Sequence, residues 1–144
     1  MRLVTFAVAI ALALAGPASA VVVSFRTPSG NIGCTFASGL VGAVPNLRCD
    51  IRSGLKPRLP RPRNCELDWG FGYSMASTGR AHVVCAGYTA LIPGSRVLRY
   101  GSKWSRGGFT CTSRVSGLRC VKRHRPRLLP QPRPLLPLVA AAPT

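Results

Sequence analysis

Six cysteines offer the most reactive side chains of the chain: Cys34, Cys49, Cys65, Cys85, Cys111 and Cys120. Thiolate zinc sites use close C-x-x-C pairs, but the two nearest cysteines here, Cys111 and Cys120, are nine positions apart. An even number of cysteines in a small chain instead predicts disulfides. The count allows 15 connectivities. The strand-like surroundings favour sequential pairing: 34 with 49, 65 with 85, and 111 with 120.

Acid–base groups are scarce. Asp50, Glu66 and Asp68 are the only carboxylates, and His82 and His124 are the only histidines. A Ser-His-Asp triad would need His82, which lies in the apolar stretch "RAHVVC". Glu66 and Asp68 alternate in a strand-like stretch, where we expect them to pair with arginines. No phosphate-binding glycine loop and no metal-ligand cluster accompanies these residues. We therefore expect no catalytic, cofactor-binding or metal-binding residue, and a protein that is not an enzyme.

Positive charge dominates the composition. The formal net charge is +17, with 20 Lys and Arg against three acids. Without Arg2 and the five basic residues after Cys120, 14 remain against the same three, or +11. Such a charge attracts polyanions, and the expected partner is an anionic cell-envelope polymer or lipid surface. A soluble surface enriched in arginine by GC-rich codons is the alternative. No nucleic-acid motif is present, so no specific nucleic acid is expected.

A proline-rich segment concentrates part of this charge. "LKPRLPRPRNC", residues 55–65, alternates prolines with basic residues, and its prolines exclude both helix and central strand. We expect an extended, solvated crossing whose outward side chains are candidate contacts to an anionic partner: Lys56, Arg58, Arg61 and Arg63.

The stretches around the cysteines predict strands. In "LRCDIR", Leu47, Cys49 and Ile51 alternate with charged residues. "GFTCTSRVSGLRCV" predicts a hairpin that turns at Ser116-Gly117. Trp69, Phe71 and Tyr73 alternate with glycine, a pattern typical of a buried strand face, with an aromatic binding platform as the alternative. We predict an all-β fold over residues 21–121: a small antiparallel domain, a compact or barrel-like sheet stapled by disulfides, and monomeric by default.

The N-terminus has the pattern of a secretory signal peptide. Met1-Arg2 is basic, residues 3–15 are apolar, and Gly16-Pro17 is followed by the small-residue triplet 18–20. The apolar run is shorter than the roughly 20 residues that span a membrane. We predict a helical signal peptide over residues 1–20, cleavage between Ala20 and Val21, and a secreted protein.

These motifs carry a resemblance. "TPSGNIGC", "LRCDI", "CELDWG", "VVCAG", "LRYG" and "GFTCTSRVSGLRC" resemble an uncharacterised family of small secreted, six-cysteine proteins of high-GC Gram-positive bacteria, a domain of unknown function. The resemblance covers about residues 25–120. It implies the cysteine plan and an exported location, and it implies no activity.

The chain departs from that family after the last cysteine. Residues 124–138 use only His, Arg, Pro, Leu and Gln, whose codons can all begin with C. Reading a GC-rich gene one base out of frame produces this alphabet. Residues 122–144 are therefore either a disordered Pro/Arg/Leu-rich tail or the product of a frameshift.

Three functions follow from these patterns. The first is a secreted, non-enzymatic binding module whose basic surface contacts anionic envelope components. The second is a cationic, membrane-active or toxin-like protein that uses the tail. The third is a small hydrolase.

Overall fold

The computed structural model describes residues 19–123, and these residues contain nine β-strands and no helix. The strands are β1 (Val21–Arg26), β2 (Ile32–Ser38), β3 (Asn46–Ile51), β4 (Trp69–Ala76), β5 (His82–Cys85), β6 (Arg96–Val97), β7 (Lys103–Arg106), β8 (Phe109–Arg114) and β9 (Gly117–Lys122). The prediction of an all-β fold is confirmed.

The strands form two sheets. The larger sheet has the order β5-β4-β3-β2-β1-β6, and the smaller sheet has the order β7-β8-β9. Every described pair is antiparallel except β1 with β6, which is parallel. The sheet departs from the predicted antiparallel arrangement only at this edge. The chain leaves β5 at one edge and reaches β6 at the other, so β6 runs alongside β1 instead of returning in a hairpin.

Aromatic side chains join the two sheets. Phe36 of β2 lies 6.0 Å from Phe109 of β8 and 5.8 Å from Trp104 of β7, measured between ring centres. Phe25 of β1 lies 4.8 Å from Trp104. Phe25, Phe36 and Phe109 are at most 2% exposed. The alternation of apolar residues in these strands places one face of each sheet in this shared core.

Three disulfides hold the domain together. Cys34–Cys49 joins β2 to β3, and Cys111–Cys120 joins β8 to β9, in both cases between residues directly opposite in the ladder. Cys65–Cys85 ties the segment before β4 to the end of β5. The first two bridges lie in the core, whereas Cys85 is exposed. By the chain-entropy relation, each closed loop of 9 to 20 residues stabilises the fold by about 3 kcal/mol.

The β8–β9 hairpin turns one residue earlier than predicted. Arg114 pairs with Gly117, so the turn residues are Val115 and Ser116, and Gly117 belongs to β9. Gly117 has a φ of 136°, which suits the first residue of the returning strand when it is glycine.

The predicted signal peptide lies almost wholly outside the described residues, as does the predicted tail from residue 124 onward. At the predicted cleavage site, Ala20 precedes β1 and Val21 is its first residue. Within residues 19–123 no helix is long and apolar enough to cross a membrane.

Candidate functional site

The outward face of β3 carries a buried ion pair. Arg48 and Asp50 point to the same side of the strand because they are two residues apart. Nε of Arg48 donates to Oδ1 of Asp50 over 2.9 Å, and Nη2 donates to Oδ2 over 2.8 Å. The side chains are 12% and 3% exposed. Burial lowers the pKa of Arg48, but the hydrogen bond and charge of Asp50 outweigh it, so the pKa is raised overall.

A crossing segment, residues 86–95, covers this pair. The amide of Ala90 donates to Oδ2 of Asp50 over 2.8 Å, and Arg48 donates to the carbonyl of Tyr88. The guanidinium of Arg48 also lies 4.6 Å from the centre of the Tyr88 ring, within cation–π range. Arg48 and Asp50 therefore fix the crossing segment to the sheet.

Two glycines make room for this arrangement. Gly33 of β2 and Gly72 of β4 flank Asp50 in the ladder. A Cβ at Gly33 would lie 2.9 Å from the Ala90 carbonyl oxygen. A Cβ at Gly72 would lie 2.5 Å from Oδ1 of Asp50 and closer still to the Cys49 carbonyl oxygen. Neither position tolerates a side chain.

Beside the pair lies a cleft of about 360 Å³. Its rim carries two exposed aromatic rings, Phe71 (47% exposed) and Tyr88 (76%). Arg52 and Asp68 line it as well. The prediction that Phe71 belongs to a buried stripe is wrong, whereas its neighbours Trp69 and Tyr73 are half-buried. The cleft offers stacking and charged hydrogen-bonding groups to a small polar ligand.

Among residues 19–123, neither Ser74 nor Asp50 is placed to form a triad with His82. Ser74 lies directly opposite His82 in the ladder, but its hydroxyl donates to Oδ1 of Asn46 over 3.0 Å. Asp50 is engaged by Arg48 and Ala90. The expected ion pairs of Glu66 and Asp68 do not form either: both residues are exposed before β4, and Arg48–Asp50 is the one ion pair among residues 19–123. Nor do the described residues contain a group of three or more His, Cys, Asp and Glu that could hold a metal ion.

The predicted basic contacts lie in the connection between β3 and β4. Lys56, Arg58, Arg61 and Arg63 are all exposed. Arg61 donates to the carbonyl of Leu67, so part of its donor capacity is used inside the connection. The Cys65–Cys85 bridge anchors the end of the proline-rich segment to β5. These four residues form one exposed basic surface, which we call the proline-rich loop.

A second basic surface was not singled out from the sequence. Lys103 of β7, Thr112 of β8 and Arg119 of β9 are directly opposite one another across the smaller sheet. Arg114 lies two residues from Thr112 and shares its side, because neighbouring residues Cys111 and Ser113 point into the core. We call Lys103, Arg114 and Arg119 the outer basic face. The alternation of apolar and cationic residues in "FTCTSR" and "GLRC" is the sequence pattern that indicates this face.

Within residues 19–123 no acid forms an ion pair with this face. Residues 96–123 contain eight Lys and Arg, and no Asp or Glu follows Asp68 in the whole chain. Adjacent strands are about 4.8 Å apart, so Lys103 and Arg119 are separated by about 10 Å across Thr112. Ser105 and Thr110, whose hydroxyls lie 3.0 Å apart, add hydrogen-bonding groups next to this row. A groove of about 530 Å³ lined by Arg96, Arg99 and Lys103 adjoins it.

The sequence profile of a family of unknown function (DUF6636) matches residues 5–131. No curated protein and no solved structure matches the chain. The three disulfides and the all-β fold agree with the six-cysteine plan that the resemblance implied. Since the matched residues span most of the chain, this protein belongs to that family of unknown function.

Proposed function

We propose that this protein is a secreted, non-enzymatic binding module that holds an anionic polymer of the cell envelope on its outer basic face. The observation that carries the proposal is the row of Lys103, Thr112 and Arg119 across three strands, with Arg114 beside it and no acid in the sheet. Uncompensated charges of one sign on a rigid surface create a potential that attracts polyanions.

The spacing favours a polymer with repeated charges. Cations about 10 Å apart on β7 and β9, the two outer strands of the smaller sheet, suit successive phosphates of an extended chain better than one small anion. Serine and threonine hydroxyls between them can donate to phosphate oxygens. Contacts of this kind leave the ligand chemically unchanged, which fits a binding module.

The disulfides support the same proposal. Cys111–Cys120 fixes the register of β8 and β9, which carry Arg114 and Arg119. A preordered surface loses less entropy on binding than a flexible one. Three disulfides in a small domain are typical of extracellular proteins, which supports a location where envelope polymers are accessible.

A charge-matched comparison tests the proposal. One variant carries Lys103→Gln, Arg114→Gln and Arg119→Gln. The other carries Lys56→Gln, Arg58→Gln and Arg63→Gln in the proline-rich loop, and so also loses one Lys and two Arg. Affinity for a glycerol phosphate polymer is measured at low and high salt, with neutral dextran as the control polymer.

We expect the outer-face variant to bind roughly 100-fold more weakly, at about 1 kcal/mol per cation, and the loop variant to stay within about threefold. High salt should also weaken polymer binding by the wild type. If the loop variant loses more affinity for the polymer than the outer-face variant does, the polymer binds the proline-rich loop instead. If the wild type does not bind at low salt, the proposed function is wrong.

A further inference from the structure

One end of the larger sheet exposes a cluster of aliphatic side chains. The loop of residues 39–45 between β2 and β3 contains no charged residue. In it, Leu40, Val41 and Val44 are 47%, 105% and 50% exposed. Val22 of β1 is 62% exposed, and its ladder partner Ala37 lies just before the loop. We call Val22, Leu40, Val41 and Val44 the apolar tip. Aliphatic residues gathered on one exposed loop indicate a contact surface more strongly than single exposed residues do.

The incoming chain lies against this tip. The Ser19 carbonyl oxygen is so close to Gly39 that a Cβ there would lie 2.5 Å from it. Ser19 and Ala20, which precede β1, therefore lie at the start of the loop.

Cationic residues lie beside the loop that carries the tip. The β4–β5 turn is joined to the loop by the amide of Ser77, which donates to the Pro45 carbonyl over 2.7 Å, and this turn carries the exposed Arg80. Lys122 of β9 donates to the carbonyls of Ala76 and Gly79, which brings the end of the smaller sheet to the same place. Arg123 follows directly and is exposed. An aliphatic centre with a cationic rim matches the interface of an anionic bilayer.

We infer that the apolar tip inserts into the surface of an anionic lipid membrane while Arg80 and Arg123 contact lipid phosphates. This inference goes beyond polymer binding, because it concerns a different surface and depends on apolar burial. The orientation would leave the outer basic face free to hold a polymer at the membrane. A second copy of the chain could cover the same residues, and the test separates that outcome.

The experiment uses the secreted protein and vesicles of phosphatidylglycerol, with phosphatidylcholine vesicles for comparison. Val41→Asp tests insertion, and Val115→Asp is the matched control, because Val115 is 71% exposed in the β8–β9 turn at the other end of the smaller sheet. Val41→Trp and Val115→Trp report polarity through the shift of tryptophan emission. Light scattering measures the mass of each variant in solution.

We expect Val41→Asp to lower binding to phosphatidylglycerol about tenfold, as the loss of one buried valine predicts, and Val115→Asp to have no effect. Only Val41→Trp should show a blue shift on these vesicles. Absence of vesicle binding, or equal binding of both Asp variants, would overturn the inference. So would a dimer in solution that Val41→Asp dissociates. In each of these cases, binding of the Val41→Asp variant to the glycerol phosphate polymer tests the proposed function separately.

Discussion

Arg48 and Asp50 lie two residues apart on β3 and form a two-point ion pair that is covered by the segment linking β5 to β6. The pair binds the segment that crosses the larger sheet from β5 to β6. It holds the crossing segment in place, and that segment delivers β6 to the far edge of the sheet beside β1. On the side of Arg48, the raised pKa means that its contribution to stability is complete below the unfolded pKa of Arg48 for as long as Asp50 is ionised. It is lost as the pH rises through the folded value, far above neutrality.

Replacing Asp50 by Asn should destabilise the fold by about 3 kcal/mol. The change leaves the guanidinium of Arg48 buried without its counter-charge, and uncompensated buried charges cost several kcal/mol. Denaturation in guanidinium chloride measures the free energy of unfolding. Glu66→Gln is the control, because Glu66 is exposed and forms no ion pair within residues 19–123. It should change that free energy by less than about 0.5 kcal/mol. Equal unfolding midpoints for the two variants would show that the pair does not hold the segment.

Gly72→Ala should also destabilise the domain, by about 3 kcal/mol or enough to prevent folding. The added methyl group would overlap the Cys49 carbonyl and the Asp50 carboxylate, and backbone cannot move aside as a flexible side chain can. Gly87→Ala is the matched control. Its nearest contact would be Cδ2 of Leu67 at 3.6 Å, an ordinary van der Waals distance. Thermal unfolding followed by circular dichroism should separate the two variants, and an unchanged midpoint for Gly72→Ala would contradict the described packing around Asp50.

The intact mass of the exported protein should correspond to a chain that begins at Val21 and contains three disulfides before reduction. Alkylation after reduction should add six groups, and alkylation without reduction should add none. A mass that corresponds to a chain ending at Thr144 would establish the Pro/Arg/Leu-rich tail as part of the product. A mass that fits only the shifted reading frame would establish the frameshift. Free thiols before reduction, or a retained apolar N-terminus, would contradict the prediction of a processed, disulfide-bonded secreted protein.

Local alternation predicted the strands, but it could not predict what covers them. "LRCDIR" places Cys49 inward and Asp50 outward, and β3 has that arrangement. From the sequence, Asp50 belonged to a charged outer face. In the structure it is 2% exposed, because a segment some 40 residues later crosses over it. Such long-range coverage leaves no local signal except glycine at positions 33 and 72, whose close approach becomes visible only when the strands are paired.

Of the two basic surfaces, only one could be predicted from the sequence. Proline spacing singled out residues 56–63, since an exposed loop is recognisable from a short stretch. The outer basic face required the register of three strands, which brings Lys103 and Arg119 to either side of Thr112. The hairpin of β8 and β9 was predictable, but the addition of β7 to β8 was not, because "SKWS" alone is too short to specify its partner.

Lysine footprinting tests polymer binding on the outer basic face most directly. The chain has three lysines, Lys56, Lys103 and Lys122, and each reports on a different surface. Lys56 lies in the proline-rich loop, Lys103 on the outer basic face, and Lys122 against the Ala76 and Gly79 carbonyls. Acetylation rates are measured by mass spectrometry with and without the glycerol phosphate polymer. Polymer binding should slow the acetylation of Lys103 about tenfold and leave that of Lys56 within about twofold. Protection of Lys56 with Lys103 unchanged, or protection of neither, would contradict the proposed binding surface.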